Sequence, residues 1–203
     1  MNRIEALYSF IDECDKVVDV GCDQAKLGLM LASRGQKSIA SDRSLNVIDR
    51  ARHDLGRNNY IDLRVSDGLD NIKEGEADTF VLAGMGTHTM LEILNKTSLK
   101  FKKIITISNN YHNILREKMN DLNYKVDKEL IVEDMDKFYN LIVFVPGNSE
   151  YNDRELLLGV NHVDEDMFKK YISFLKDKYT NIKESSKDKN DKVDKMLEHI
   201  NSL

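Results

Sequence analysis

The feature that most constrains this chain is a change of rhythm at residue 124. Before it, short β-rich apolar runs at residues 16–20, 37–41, 62–65, 79–83 and 103–107 are mostly separated by helical stretches at 25–33, 45–56, 87–94 and 111–122. That pattern predicts a parallel sheet covered by helices on both faces. After it, two β runs at 124–132 and 138–145 follow each other across only Glu133-Asp134-Met135-Asp136-Lys137. Parallel neighbours need a crossover of about a dozen residues or more. These two runs must therefore pair antiparallel, as a hairpin closing one sheet edge. A further helix is expected over 2–13, where Ile4, Leu7, Tyr8 and Ile11 recur at helical spacing.

Pro146-Gly147 ends the β pattern. Beyond it the chain turns charged and helical. Phe168, Tyr171, Ile172, Leu175, Tyr179 and Ile182 form one stripe, and Val193, Met196, Leu197 and Ile200 form another, joined by the polar run 183–191. The expected organisation is a main domain over 1–148 and a helical hairpin over 149–203. A chain of 203 residues suffices for one full core plus such an appendage. A net charge of −5 argues against binding nucleic acid through the whole surface, though not against a local basic patch. No apolar run is long enough to span a bilayer and the start carries no secretory signal, so a cytoplasmic, membrane-free protein is expected. Cys14 and Cys22 flank the first strand, too far apart for a disulfide, and are read as free thiols. Neither has a partner at metal-ligand spacing, so no metal is expected.

Chemistry should gather where strands end, because ligands of open α/β sheets bind outside the carboxyl ends of the strands. The first strand ends at Asp19-Val20-Gly21-Cys22-Asp23. A dinucleotide turn needs three glycines so that a pyrophosphate can rest on a helix N-terminus. Here the later glycine places hold Asp23 and Lys26. Two carboxylates would repel a pyrophosphate, but suit a ligand with an ammonium, a sulfonium and no phosphate. S-adenosylmethionine is such a ligand; an ordinary acidic loop is the bland alternative. The second strand ends at Asp42, suited to ribose hydroxyls or to capping the next helix. The third ends at Ser66-Asp67-Gly68-Leu69, where Asp67 can accept from an adenine amino group. The fourth ends at Ala83-Gly84-Met85-Gly86, fit for a flat ring and a methyl donor. Missing glycines and the closing hairpin argue against a nicotinamide enzyme.

Taken together these residues resemble the TrmK family, class I methyltransferases that methylate N1 of adenosine 22 in bacterial tRNA. The resemblance rests on Arg3-Ile4-Glu5-Ala6-Leu7 with Phe10, the turn Asp19 to Ala25, Asp67-Gly68-Leu69, Ala83-Gly84-Met85-Gly86, Asn110, Tyr139, Pro146-Gly147 and Glu155-Leu156-Leu157-Leu158-Gly159. It implies a Rossmann-like class I methyltransferase fold with a C-terminal helical hairpin. It also implies an S-adenosylmethionine site at Asp19, Gly21, Cys22, Asp23, Gln24, Asp42, Arg43, Asp67, Gly68, Ala83, Gly84, Met85 and Gly86. Departures cluster around the expected transfer site. Gln24 stands for the family's His, Lys26 and Gly28 for its Tyr and Pro, Thr87 for a Gly, and Ser108-Asn109 for its Gln-Pro.

Adenine N1 carries a free lone pair, so alignment and stabilisation of the cationic product are the main demands. Asp23 and Asn110 are the catalytic candidates, Asn110 being equally placed to cap the following helix. A paired adenine hides N1, so the base must leave its stack or start unpaired. Lys26, His88, His112 and Arg116 follow carboxyl ends and are the expected tRNA contacts. The basic run 96–103 returns to the opposite edge of the sheet. His53, His162 and His199 read as ordinary surface residues. A monomer is expected. Two other readings stay open: a protein of this fold that binds cofactor or RNA without catalysis, and a methyltransferase for another acceptor.

Overall fold

The structure is a computed structural model and describes residues 1–185 and 190–203. It places the runs that precede residue 124 in five parallel strands: β1 (Val17–Val20), β2 (Ser38–Asp42), β3 (Ile61–Val65), β4 (Thr79–Met85) and β5 (Lys103–Ser108). Their apolar runs do not alternate because both faces are covered; all four residues of β1 are buried. The hairpin strands are β6 (Tyr124–Asp134) and β7 (Lys137–Pro146). β7 pairs antiparallel with β5, and β6 lies outside it, giving the order β3-β2-β1-β4-β5-β7-β6. The linker expected to be five residues shrinks to a two-residue turn, Met135-Asp136. Both of these residues have positive φ (51° and 58°), the twist that a tight hairpin requires.

Helices α1 (Arg3–Ser9), α2 (Lys26–Ser33), α3 (Leu45–Leu55), α4 (Thr87–Lys96) and α5 (His112–Asp121) cover the two faces. On one, Met90, Leu91 and Leu94 of α4 and Leu115 and Met119 of α5 pack on Val18, Phe80, Leu82, Ile104 and Phe144. On the other, Leu7 of α1 and Leu27 and Leu31 of α2 pack on Val81, Ile105, Leu141 and Val143. The opening helix is shorter than expected. A capping box, with Asn2 accepting from Glu5 N–H and Glu5 from Asn2 N–H, starts it, and the chain leaves at Phe10.

Beyond the sheet, α7 (Glu165–Ser185) and α8 (Asp191–Asn201) form the expected helical pair. Phe168, Tyr171, Ile172 and Leu175 meet Met196 and Ile200, so the two stripes do face each other, while Ile182 stays exposed. Four residues of the expected polar run, 186–189, lie outside the described residues. One element escaped the sequence reading: a short helix α6 (Asp153–Leu158). Its signature, Asn152 three residues before Glu155 in a reciprocal capping box, is present in the sequence. The segment after it adds a single β bridge, His162 to Glu129, along the outer edge of β6.

The join between this C-terminal segment and the sheet is a buried ion pair. Arg116 of α5 and Glu129 of β6 are both fully buried and bond bidentately, at 2.8 and 2.6 Å. Arg116 also donates to the Leu156 carbonyl (2.6 Å), and Glu129 accepts from Val160 N–H (3.1 Å). Gly159 is required here. Its φ is +93°, and a Cβ would sit 2.6 Å from the Glu129 carboxylate and 2.8 Å from the Arg116 guanidinium. This corrects the expectation that Arg116 contacts tRNA: no surface of it is available, because its charge holds the C-terminal segment in place. His162 is likewise not an ordinary surface residue. Its ring stacks on Phe168 at 3.8 Å and its Nε2–H reaches the Leu158 carbonyl at 3.0 Å.

Candidate active site

The chain turns back between β1 and β4: β2 and β3 lie to one side, and β4, β5 and the hairpin to the other. A cavity of about 430 Å³ opens at that crevice, the position where open α/β sheets take ligands. Its lining brings together Asp19, Gly21, Cys22, Asp23, Gln24 and Lys26 from the first turn with Ala83 and Gly84 from the fourth. Ile107 of β5 adds an apolar wall.

Two features make the first turn a cradle. Gly21 has φ +81°, a backbone conformation in which any side chain is strained, and a Cβ there would also come within 2.9 Å of the Met85 methyl, which would have to swing aside. The turn is also pinned from the other side, as Gly21 N–H and Cys22 N–H both donate to the Ser41 carbonyl, at 2.8 and 3.1 Å. Asp23 and Ala25 then follow at positive φ (46° and 50°), with Ala25 ahead of the first residue of α2. Non-glycine residues rarely adopt this conformation, and its clustering here marks a turn held against its local preference.

Asp19 is the electrostatic centre of the cavity. It is buried, receives no side-chain hydrogen bond within the described residues, and loss of solvation pushes its carboxyl up to about 7. A carboxylate so placed costs the folded chain free energy unless a cation joins it. Cys22 beside it is buried too. Burial, and then the neighbouring carboxylates of Asp19 and Asp42, push its thiol up to about 12, so it is an inert packing residue rather than a nucleophile. Cys14 and Cys22 are both free.

The other expected cofactor residues surround the cavity without lining it. Asp42 is half-buried, and one of its oxygens accepts from Ser44 N–H at 2.8 Å, so it serves the start of α3 as well as facing outward. Arg43 is exposed. Asp67 and Gly68 border a separate hollow of about 230 Å³ between the β3–β4 loop and α4. Met85 packs over Gly21 and Gly86 lies against Asn110.

Asn110 occupies a different role from the cap that its sequence context suggested. Its side chain does not cap α5; instead Oδ1 accepts from Thr87 N–H at 3.3 Å, at the start of α4, whose own preceding residue is Gly86. The Asn110 carbonyl accepts from the hydroxyls of Thr87 (2.6 Å) and Ser108 (2.8 Å), both buried. Asn109 Nδ2–H reaches the Gly84 carbonyl at 3.1 Å. The loops after β4 and β5 are thereby bonded into one rim. Thr87 and Ser108, departures from the resembled family, are the residues that bond it.

Of the expected RNA contacts, Lys26 and His88 are exposed at this edge. His112 is only half open: its Nε2 lies 3.1 Å from the Ser108 carbonyl, and burial lowers its pKa. The run 96–103 is divided: residues 96–99 line the same hollow as Asp67 and Gly68, while its last two lysines lie at the start of β5, at the opposite edge. There Lys102 pairs with Asp78, and Lys103 with Asp12 and Asp15. The sequence reading missed the roof of the cavity, formed by Arg3, Ile4 and Leu7 of α1. Arg3 is anchored by Asp134 at 2.9 Å and lies 4.3 Å over the Tyr139 ring, so the hairpin fixes the helix that covers the site. Among the described residues no helix could cross a membrane and no three His, Cys, Asp or Glu residues are grouped to hold a metal.

Comparison with known proteins agrees with this geometry. The family model for a methyltransferase domain matches residues 1–142. The tRNA (adenine(22)-N(1))-methyltransferase of Bacillus subtilis is 29% identical over 156 residues, 73% of this chain and 66% of the relative, just under two thirds of its length. TrmK of M. capricolum, solved with S-adenosyl-homocysteine, superposes with a TM-score of 0.81 at 23% identity, covering 98% of this chain and 93% of the other. Sp1610 of Streptococcus pneumoniae, solved with S-adenosyl-L-methionine, gives 0.86 at 21% identity over 100% and 99%. At these identities the structural likeness is one of fold.

Proposed function

This chain belongs to the methyltransferase-domain family, and from that premise we propose that it carries a methyl group from S-adenosylmethionine to N1 of an adenine in tRNA. The observation that carries the cofactor assignment is Asp19, a buried carboxyl that lines the crevice cavity and receives no side-chain hydrogen bond among the described residues. The residues fit the group. Asp19 offers a desolvated anion to an ammonium, Gly21 leaves room for close approach of the backbone, and Ala83, Gly84 and Ile107 offer apolar walls. Asp42 and Asp67 stand at the neighbouring strand ends outside that lining, and on this reading would take hydroxyl and amino groups. Bound there, S-adenosylmethionine supplies an electrophilic methyl on a sulfonium.

The acceptor assignment rests on the printed activity of the Bacillus relative, which acts on adenine 22 of tRNA, and N1 of adenine requires no general base. A nitrogen that already bears a lone pair needs none. What the chain must do is hold the ring, exclude water and stabilise the positive charge that the ring gains. Asp23, exposed at the cavity mouth in a constrained turn, supplies a carboxylate for that charge. Asn110, fixed through Thr87 and Ser108, presents its amide at the rim. Lys26 offers a cation for the RNA backbone.

The test is to incubate the protein with labelled S-adenosylmethionine and unmodified bacterial tRNA, digest the RNA and map the methylated nucleoside. 1-Methyladenosine at one D-arm adenine is expected. Methyl on another atom, or cofactor binding by calorimetry with no transfer to any tRNA, would overturn the acceptor assignment and leave the cofactor site standing.

A further inference from the structure

Among the described residues three aromatic side chains are exposed: Tyr60, Tyr111 and Phe174. Tyr60 directly precedes β3, at the sheet edge opposite the cavity, and Phe174 rests on Phe138 with ring centroids 5.0 Å apart. Tyr111 is the one at the carboxyl edge. It is 54% exposed, immediately follows Asn110, and has φ +51°, a conformation that a bulky residue adopts only under constraint. The constraint is visible. The preceding peptide is bonded by Thr87 and Ser108, and Asn109 ties the loop to Gly84 of the cavity wall. An aromatic ring is thus held out into solvent, beside the mouth of the proposed methyl-transfer site, by an arrangement that does not benefit its own burial.

His88 of α4 stands next to it, with ring centroids 5.6 Å apart and the planes inclined by 53°. A base cannot slide between them, because that would need about 7 Å, twice the ~3.4 Å spacing of stacked bases. The imidazole instead braces the phenol ring at a tilt, and Tyr111 keeps 54% of its surface open to solvent.

We infer that Tyr111, braced by His88, is the stacking platform for the unpaired purine that receives the methyl group. This deepens the acceptor assignment above and rests on it. An adenine presenting N1 must be out of its helix, and a protein ring replaces the stacking it forfeits. Stacking on an aromatic face tolerates any base. The platform would therefore contribute holding and orientation, and selection of adenine would fall to the amide of Asn110 one residue earlier.

The test uses Tyr111→Gly, Tyr111→Phe and His88→Ala in the full chain, with the tRNA shown to be methylated by the parent. Glycine suits the positive φ, so Tyr111→Gly should fold with unchanged or raised thermal stability and bind S-adenosylmethionine as the parent does. Its kcat/KM for tRNA should fall roughly 5- to 100-fold. Tyr111→Phe should stay within about threefold of the parent, because the ring face and not the hydroxyl is used, and His88→Ala should fall between the two. With 2-aminopurine at the methylated position, the complex with Tyr111→Gly should fluoresce more brightly than the parent complex, since the extruded base is no longer stacked. Parental kcat/KM in Tyr111→Gly overturns the platform and leaves the acceptor assignment intact. So does an equal loss in Tyr111→Phe, or a loss of cofactor affinity alongside activity. A parent chain that methylates no tRNA adenine overturns both.

Discussion

Among the described residues two carboxylates are buried, and they have opposite surroundings. Glu129 has every oxygen engaged: two bonds from Arg116 and one from Val160 N–H, with backbone bonds to Asn161 and Val163 completing the join. Asp19 receives no side-chain bond within the described residues and faces a cavity of about 430 Å³. Desolvating a carboxylate costs several kcal/mol in either place. At Glu129 the fold itself offsets that cost, so the group is structural. At Asp19 it goes unmet until a cation enters, so the group marks a ligand site. A buried charge becomes informative about function when its neighbours leave it unsatisfied.

The sharpest way to break that contrast is to neutralise each carboxyl. Asp19→Asn should lower S-adenosylmethionine affinity by roughly 30- to 1,000-fold, the loss expected for one partner of a desolvated ion pair, read by calorimetry. The same variant should be more stable than the parent without ligand at high pH. Because the folded Asp19 titrates near 7, above its unfolded value, its favourable contribution is complete below about pH 4 and is lost as pH rises through 7. At pH 8 and above the parent carries a penalty on the order of 4 kcal/mol that Asn removes. Thermal melts from pH 5 to 8 that run parallel for parent and variant would sink the assignment. Gly21→Val should abolish binding as well, because a β-branched residue cannot hold the φ of +81° on which the turn depends.

Glu129→Ala should act in the reverse sense, destabilising the chain without touching cofactor affinity. It strands the Arg116 guanidinium in the core, at a cost of about 3–5 kcal/mol. Melting should drop by roughly 10 °C, measured by calorimetry on the apoprotein. Replacing both partners, Arg116→Met with Glu129→Leu, should recover most of the loss. If the double variant melts no higher than the single one, the pair does more than satisfy itself.

Asp23→Ala is expected to be smaller in stability and selective in effect. The side chain is exposed and its backbone is already strained, so unfolding should change little. Turnover should fall roughly 100-fold if the carboxylate stabilises the developing ring charge. Single-turnover rates at saturating cofactor decide this, and a variant that reacts at the parental rate removes Asp23 from the mechanism.

The contrast also explains what could be read in the sequence and what could not. β1 to β5, the hairpin and the turn Asp19 to Asp23 were legible because each is encoded locally, in an apolar run, a short linker or a motif at a strand end. The two buried carboxylates could not be told apart that way, because the difference lies in partners distant in sequence. Glu129 meets Val160, and its partner Arg116 meets Leu156, through a segment whose helix, α6, went unseen. Arg116 read as a tRNA contact because it follows the carboxyl end of a strand. The rule that charged residues stay outside fails where a single partner on another element compensates. The cavity roof was missed for the same reason, since Arg3 is held by Asp134 and Tyr139 across most of the chain.

The smallest effect sits beside the satisfied carboxylate. His162 packs on Phe168 with its Nε2–H given to the Leu158 carbonyl and its Nδ1 buried without a partner. A proton added at Nδ1 would meet no acceptor. Burial, aided by Arg116 and opposed by Glu129, therefore lowers its pKa. His112, at the start of α5, is lowered for the same leading reason. A histidine whose folded pKa lies below its unfolded value protonates first in the unfolded chain. Stability is then complete above the ordinary histidine range and declines as pH falls below about 6.5. His162→Phe keeps a ring against Phe168 and removes the titration, so its melting temperature should fall less than the parent's between about pH 6.5 and 5. If both curves bend alike, the acid sensitivity belongs to His112 or to the carboxylates, and the C-terminal join is insensitive to pH in that range.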